Sequence, residues 1–195
     1  MYGARENQSH TIAIAYRASE WVLIDQELLD LTEVAKWVPN EPDFANSKNK
    51  NALLCILQHQ QTKKTVVLGN AHLEHDPLRD HVKFAQAAYL LERAANYVRD
   101  NKGMRHSLPF ICGGDFNSLP ISSVLSAMYG EDITNTDSDK PASLWTVPND
   151  CPEAQRALYT KVNQTLMRKA DSGVLSPLFG CVKSAYADYQ LPALR

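Results

Sequence analysis

Thr65-Val66-Val67-Leu68-Gly69 is apolar from its second residue and runs straight into Asn70-Ala71-His72. A second run, Leu108 to Cys112, ends the same way, in Gly113-Gly114-Asp115-Phe116-Asn117. Aliphatic and β-branched runs of this length suit strands, and the continuity of the first implies cover on both faces. Between them Val82, Ala85, Ala88, Tyr89, Leu91, Ala95 and Val98 recur at helical spacing. Asp76 is placed to cap that helix and Pro77 to sit in its first turn. Strands alternating with helices predict an α/β fold. Polar motifs just past strand ends are where open α/β sheets usually carry ligand chemistry.

Thr11 to Tyr16 and Trp21 to Leu23 read as two short strands joined by a polar turn. Asn51 to Gln58 reads as a strand that pairs with Thr65 to His72 through a hairpin turn in the polar stretch Gln60-Gln61-Thr62-Lys63-Lys64. Residues 32–51 hold Pro39, Pro42 and several Asn and Lys residues, and read as a long surface loop. Ser118-Leu119-Pro120 opens a further helix ending near Gly130. Residues 131–150 form an acidic loop, and Asp150 and Pro152 start another helix reaching about Ala170.

At 195 residues, 44% hydrophobic and 22% charged, the chain is composed like an ordinary single globular domain. Its longest apolar runs fall far short of the roughly 20 residues of a membrane span. With 20 basic and 22 acidic residues the net charge is −2, which excludes an overall basic coat. Nucleic-acid binding would therefore depend on a local site, metal ions or a partner surface. Cys55, Cys112, Cys151 and Cys181 form no C-x-x-C pair. They read as reduced thiols rather than a disulfide framework, and the polar N-terminus lacks an apolar signal core. An intracellular, cytoplasmic protein without a membrane partner is expected.

Two motifs carry the chemistry. In Gly69-Asn70-Ala71-His72-Leu73-Glu74-His75-Asp76-Pro77, strand alternation places Asn70 and His72 on one face and Ala71 and Leu73 on the other. An imidazole fixed at a strand end can donate to a phosphoryl oxygen as charge grows there. A zinc site from His72, His75 and Asp76 lacks a fourth ligand in view, and an ordinary polar turn is the plain alternative. In Cys112-Gly113-Gly114-Asp115-Phe116-Asn117-Ser118-Leu119-Pro120, an extended backbone would point Asp115 and Asn117 the same way. A carboxylate there can position or deprotonate water and hold a hard cation, and the amide can donate to a phosphate. That combination suits metal-assisted phosphoester hydrolysis. An Asx cap of the following helix is the structural alternative.

Together these motifs resemble the endonuclease/exonuclease/phosphatase superfamily, whose type member is DNase I, and within it the deadenylase, nocturnin and angel branch. The branch pattern N-T/A-H-L-x-W-D-P, then D-V-K-x-x-Q, then G/A-D-F/L-N-S-x-P is matched by NAHLEHDP, by Asp80-His81-Val82-Lys83-Phe84-Ala85-Gln86 and by GGDFNSLP. Ile12 to Arg17, Lys50 to Leu53 and Lys183 to Tyr186 resemble further branch segments in the same order. The resemblance implies two packed sheets flanked by helices. It implies a phosphate-contacting role for His72, a nucleophile-positioning and metal-holding role for Asp115, and a phosphate-steadying role for Asn117. Pro77 would line the adenine pocket, and Asn70 would support the histidine and substrate.

The implied activity is Mg²⁺-dependent (or Mn²⁺-dependent) 3′→5′ removal of poly(A) from RNA 3′ ends in mRNA decay, with deadenylase-complex proteins as partners. A nucleotide phosphatase or other phosphodiesterase is the alternative within the superfamily, and a catalytically inactive binding module the alternative outside catalysis. His75 stands where the branch has Trp, and Glu74 where it often has His or Lys. The branch's early L-Q-E-V, with its metal-binding glutamate, and its terminal S-D-H have no counterpart here. Residues 1–195 are thus expected to form a partial domain, incomplete at both ends.

Overall fold

A computed structural model describes residues 2–3, 12–45, 50–100, 108–119 and scattered positions between 122 and 164. The segments expected as helices after Pro120 and after Asp150 are described only at single positions, among them Val124, Leu125, Met128 and Val162, which are helical and buried. The loop at 131–150, Cys151, Cys181 and Lys183 to Tyr186 lie outside the described residues.

The centre is a four-stranded mixed sheet. Strand β1 (Tyr2–Gly3) pairs with β2 (Ile12–Ala13) in a separate two-stranded ribbon. Strands β3 (Trp21–Asp30), β4 (Asn51–His59), β5 (Thr65–His72) and β6 (Phe110–Asp115) make the main sheet in that order. The expected hairpin is β4–β5, antiparallel from Gln58↔Thr65 to Ala52↔Ala71. β5 and β6 are parallel, which requires a crossover of helical size. Helix α2 (Asp80–Asp100) supplies it, entered by a 3₁₀ turn at Pro77–Arg79 that Asp76 caps by accepting from the Leu78 N–H at 2.9 Å.

Period-two burial sorts the sheet's side chains to two faces. Leu54, Ile56, Val67 and Ala71 join the larger core beneath α2. Leu53, Cys55 and Leu57 face the other way, under Ile14 and next to Ile12 near the β1–β2 ribbon. The expected α/β architecture is therefore present; among the described residues it consists of the four-stranded sheet, its helices and the short β1–β2 ribbon. α2 is buried almost all round, from Val82, Phe84 and Ala85 to Leu90, Leu91 and Ala94. Each of the Val, Leu and Phe side chains among them contributes about 1.5–3 kcal/mol by leaving water, and each alanine methyl less.

Three expectations are corrected. Residues 32–51 are not a surface loop throughout. A 3₁₀ helix at Leu31–Lys36 buries Leu31 and Val34, the turn after it buries Val38, and the short helix α1 (Pro42–Ala45) buries Phe44, all in the main core. Four apolar side chains spaced through polar sequence outweigh its loop-like composition. The strand expected at Trp21 to Leu23 runs on to Asp30. Its acidic residues hid the alternation, but Glu27 meets Arg93 of α2 at 2.6 Å, and a register shift between Leu23 and Asp25 turns the strand. Conversely, among the described residues of the run at Thr11 to Tyr16, only Ile12–Ala13 is strand.

Candidate active site

The parallel register aligns the two motifs. Asn70 lies opposite Gly113, Ala71 opposite Gly114 and His72 opposite Asp115. Neighbouring strands sit about 4.8 Å apart, so the imidazole-bearing and carboxylate-bearing residues end their strands side by side. His72 is half-buried and Asp115 exposed.

Backbone and side-chain bonds tie the two strand ends together. Leu73 N–H donates to Asp115 O at 3.0 Å, and Asn117 Nδ2 donates to Leu73 O at 3.1 Å. Asp115 Oδ1 accepts from the Asn117 N–H at 2.9 Å, an Asx turn. Asn117 is left-handed, with φ 47°. The extended arrangement of Asp115 and Asn117 is thus corrected: the chain turns at Asn117, a residue type that tolerates this conformation. One amide hydrogen of Asn117 is spent on the loop; the group has a second. Asn70 Nδ2 donates to Ala13 O at 2.8 Å, linking β5 to β2. Pro77 is exposed at the start of its 3₁₀ turn.

Gly114 makes the close strand approach possible. Its φ is +133°, and a Cβ there would overlap the Ala71 carbonyl oxygen and lie 2.8 Å from Asn70 Oδ1. Gly113 has open space around the same atom.

Several contributors escaped sequence reasoning. Gln86 of α2 accepts from the Glu74 N–H at 2.8 Å. Buried Glu74 accepts from the N–H groups of His75 at 2.8 Å and Asp76 at 3.2 Å. Gln86 belongs to the D-H-V-K-F-A-Q stretch, yet nothing local told that it would reach the loop after His72. A shallow cleft of about 490 Å³ lies on the sheet face of Leu68 and Ile111, towards Trp21 and the start of β5, away from His72.

The fit to a divalent cation is incomplete. Among the described residues no group of three or more His, Cys, Asp or Glu could hold a metal ion. Asp115 offers one carboxylate, already engaged by Asn117 N–H, whereas Mg²⁺ and Ca²⁺ sites need several oxygens in a set geometry. Among the same residues no helix is long and apolar enough to cross a membrane.

No protein-family model matches the chain. It is 25% identical over 173 residues to the CCR4-Not complex 3′-5′-exoribonuclease subunit Ccr4 of Neurospora crassa, covering 65% of this chain and 21% of that protein. The probable counterpart from Vairimorpha ceranae is 37% identical over 89 residues, covering 46% and 18%. Protein angel of Drosophila melanogaster is 29% identical over 141 residues, covering 72% and 34%. In sequence the chain is similar to the Ccr4 exoribonuclease subunits and to protein angel. It spans about a fifth of the Ccr4 chains and a third of the angel protein. The crystal structure of ANGEL2, described as a 2′,3′-cyclic phosphatase, in complex with adenosine-2′,3′-vanadate, superposes with a TM-score of 0.52 at 24% identity, over 65% of this chain and 34% of that one. This agrees with the DNase I-like fold of the sheet and α2.

Proposed function

We propose that the protein to which this DNase I-like segment belongs is a phosphodiester hydrolase that shortens RNA from its 3′ end, with poly(A) as substrate. The observation that carries the reading is the alignment of His72 with Asp115 at the ends of two parallel strands. The exoribonuclease relatives support it. Asp115, exposed and braced by Asn117 N–H, would orient or deprotonate the attacking water. His72 would donate to a phosphoryl oxygen as its charge grows. Asn117 holds the turn and keeps one amide hydrogen for the phosphate. Pro77 and Asn70 border the substrate, and a near-neutral surface is compatible with recognition by stacking and edge contacts.

A divalent cation, magnesium in this reading, would need oxygens beyond those described. Deadenylase-complex proteins are the proposed partners and the cytoplasm the proposed compartment. The test is a gel assay of 5′-labelled oligo(A), with oligo(U) and a 2′,3′-cyclic-phosphate-ended oligonucleotide as controls. It is run with Mg²⁺ and with EDTA, on this chain and on a longer reading frame, each with its Asp115→Ala variant. Stepwise shortening of oligo(A) that requires Mg²⁺ and Asp115 is expected from the longer protein. Loss of the cyclic phosphate alone would move the assignment to a phosphatase. No turnover by the longer protein would leave a binding module.

A further inference from the structure

The stretch Asp80 to Gln86 has no role in the proposed hydrolysis. Asp80 and Lys83 pair with each other at 2.7 Å. Gln86, in the second turn of α2, is wholly buried, and its Oε1 accepts from the Glu74 N–H at 2.8 Å. A backbone donor fixes which end of the Gln86 amide faces the loop, because only its oxygen accepts.

The Glu74 N–H and the Leu73 C=O are parts of one planar peptide unit, held rigid by resonance. The N–H donates to Gln86, and the C=O accepts from Asn117 Nδ2 at 3.1 Å. The unit is trans, so these two groups point in opposite directions. α2 therefore grips one edge of the plane, and the loop after β6 grips the other. A rotation of the plane would carry the acceptor of Asn117 with it. The rest of the loop has little room to compensate, since the buried Glu74 carboxylate accepts from the His75 and Asp76 N–H groups. Hydrogen bonds in series also polarise one another. Asn117 in turn braces Asp115, whose Oδ1 accepts from the Asn117 N–H.

We infer that Gln86 is a positioning residue for Asn117. It holds the Leu73–Glu74 peptide from the α2 side, and that peptide aims the Asn117 amide, whose second hydrogen is left for a phosphate. This rests on the phosphodiester reading of the site. It adds a residue that acts from the buried side, through the backbone, without touching substrate.

The test is ¹⁵N NMR of the labelled full chain, with the Asn117 side-chain NH₂ pair assigned by its loss in Asn117→Asp. In the wild type the Glu74 amide should exchange slowly with solvent. Gln86→Met keeps the shape but offers only a weak sulfur acceptor. It should release the Glu74 amide to fast exchange and shift the Asn117 NH₂ pair. Gln86→Glu keeps an acceptor oxygen and should restore both. Fast exchange of the Glu74 amide in the wild type would overturn the inference without requiring any variant to fold, and so would an Asn117 pair indifferent to Gln86→Met. On the longer reading frame, Gln86→Met should lower kcat/KM for oligo(A) roughly 10- to 100-fold, the scale of a misplaced group. Added to Asn117→Ala it should cost little more, because a residue acting through Asn117 then has nothing left to position. Fully additive losses would remove this inference and leave the hydrolase reading standing. A longer protein that never cleaves, with an Asn117 pair that still answers Gln86→Met, would remove the hydrolase reading and leave the coupling of Gln86 to Asn117 intact.

Discussion

Gly114→Ala should do disproportionate damage for the addition of one methyl group. The new Cβ would overlap the Ala71 carbonyl oxygen and sit 2.8 Å from both Ala71 N and Asn70 Oδ1. Two of these three are backbone atoms of the neighbouring strand, so no side chain can swing aside. The φ of +133° adds backbone strain of about 1–3 kcal/mol, and overpacking adds roughly another 1–3 kcal/mol. The sum, about 2–6 kcal/mol, is a large part of the 5–15 kcal/mol typical of a whole domain. β6 must shift away from β5, which also separates Asp115 from His72. Gly113→Ala is the matched control, since nothing lies within 4 Å of its new Cβ, and its effect should stay within about 0.5 kcal/mol. Urea unfolding of the two variants reads the difference as a change in midpoint at constant slope. Equal midpoints for Gly113→Ala and Gly114→Ala would refute the argument from strand approach.

Asn117→Ala removes the bond to Leu73 O and leaves a less tolerant residue at φ 47°. A loss of about 1–3 kcal/mol is expected in the same unfolding assay, with Asn117→Gly intermediate because it keeps the conformation. Burial holds the His81 imidazole below its usual range, against the opposing pull of Asp43, whose Oδ2 lies 3.2 Å from Nε2. The unfolded chain therefore takes up this proton first. Stability should fall as the pH drops below about 6.5, and His81→Leu should flatten that part of the profile; an unchanged slope would count against it. Burial likewise lifts the Cys55 thiol above its usual range. Iodoacetamide at neutral pH should spare Cys55 in the native chain and label it in urea, as peptide mass mapping would report.

Much was legible locally. The alternation in Asn70 to Leu73, the hairpin around Gln60 to Lys64 and the cap at Asp76 are properties of a few adjacent residues. They are written in side-chain polarity and hydrogen-bonding capacity. Composition misled where long-range burial overruled it: Val34, Val38 and Phe44 lie among loop-like residues but fill the core. Asp25 and Glu27 concealed a strand because Arg93, the partner of Glu27, is 66 residues away.

The sequence by itself determined an α/β chain whose apolar strands end in His72 and Asp115, and the motifs that mark its relatives. Tertiary structure alone decided that these two ends lie in register and that Gly114 admits the close approach. It also decided that Asn117 turns back to Leu73, and that Gln86 and Glu74 set the loop carrying His75. Periodicity is a local quantity, read from neighbours along the chain. Register and hydrogen-bond partners across dozens of residues depend on how whole elements settle against one another, and only the folded core specifies that.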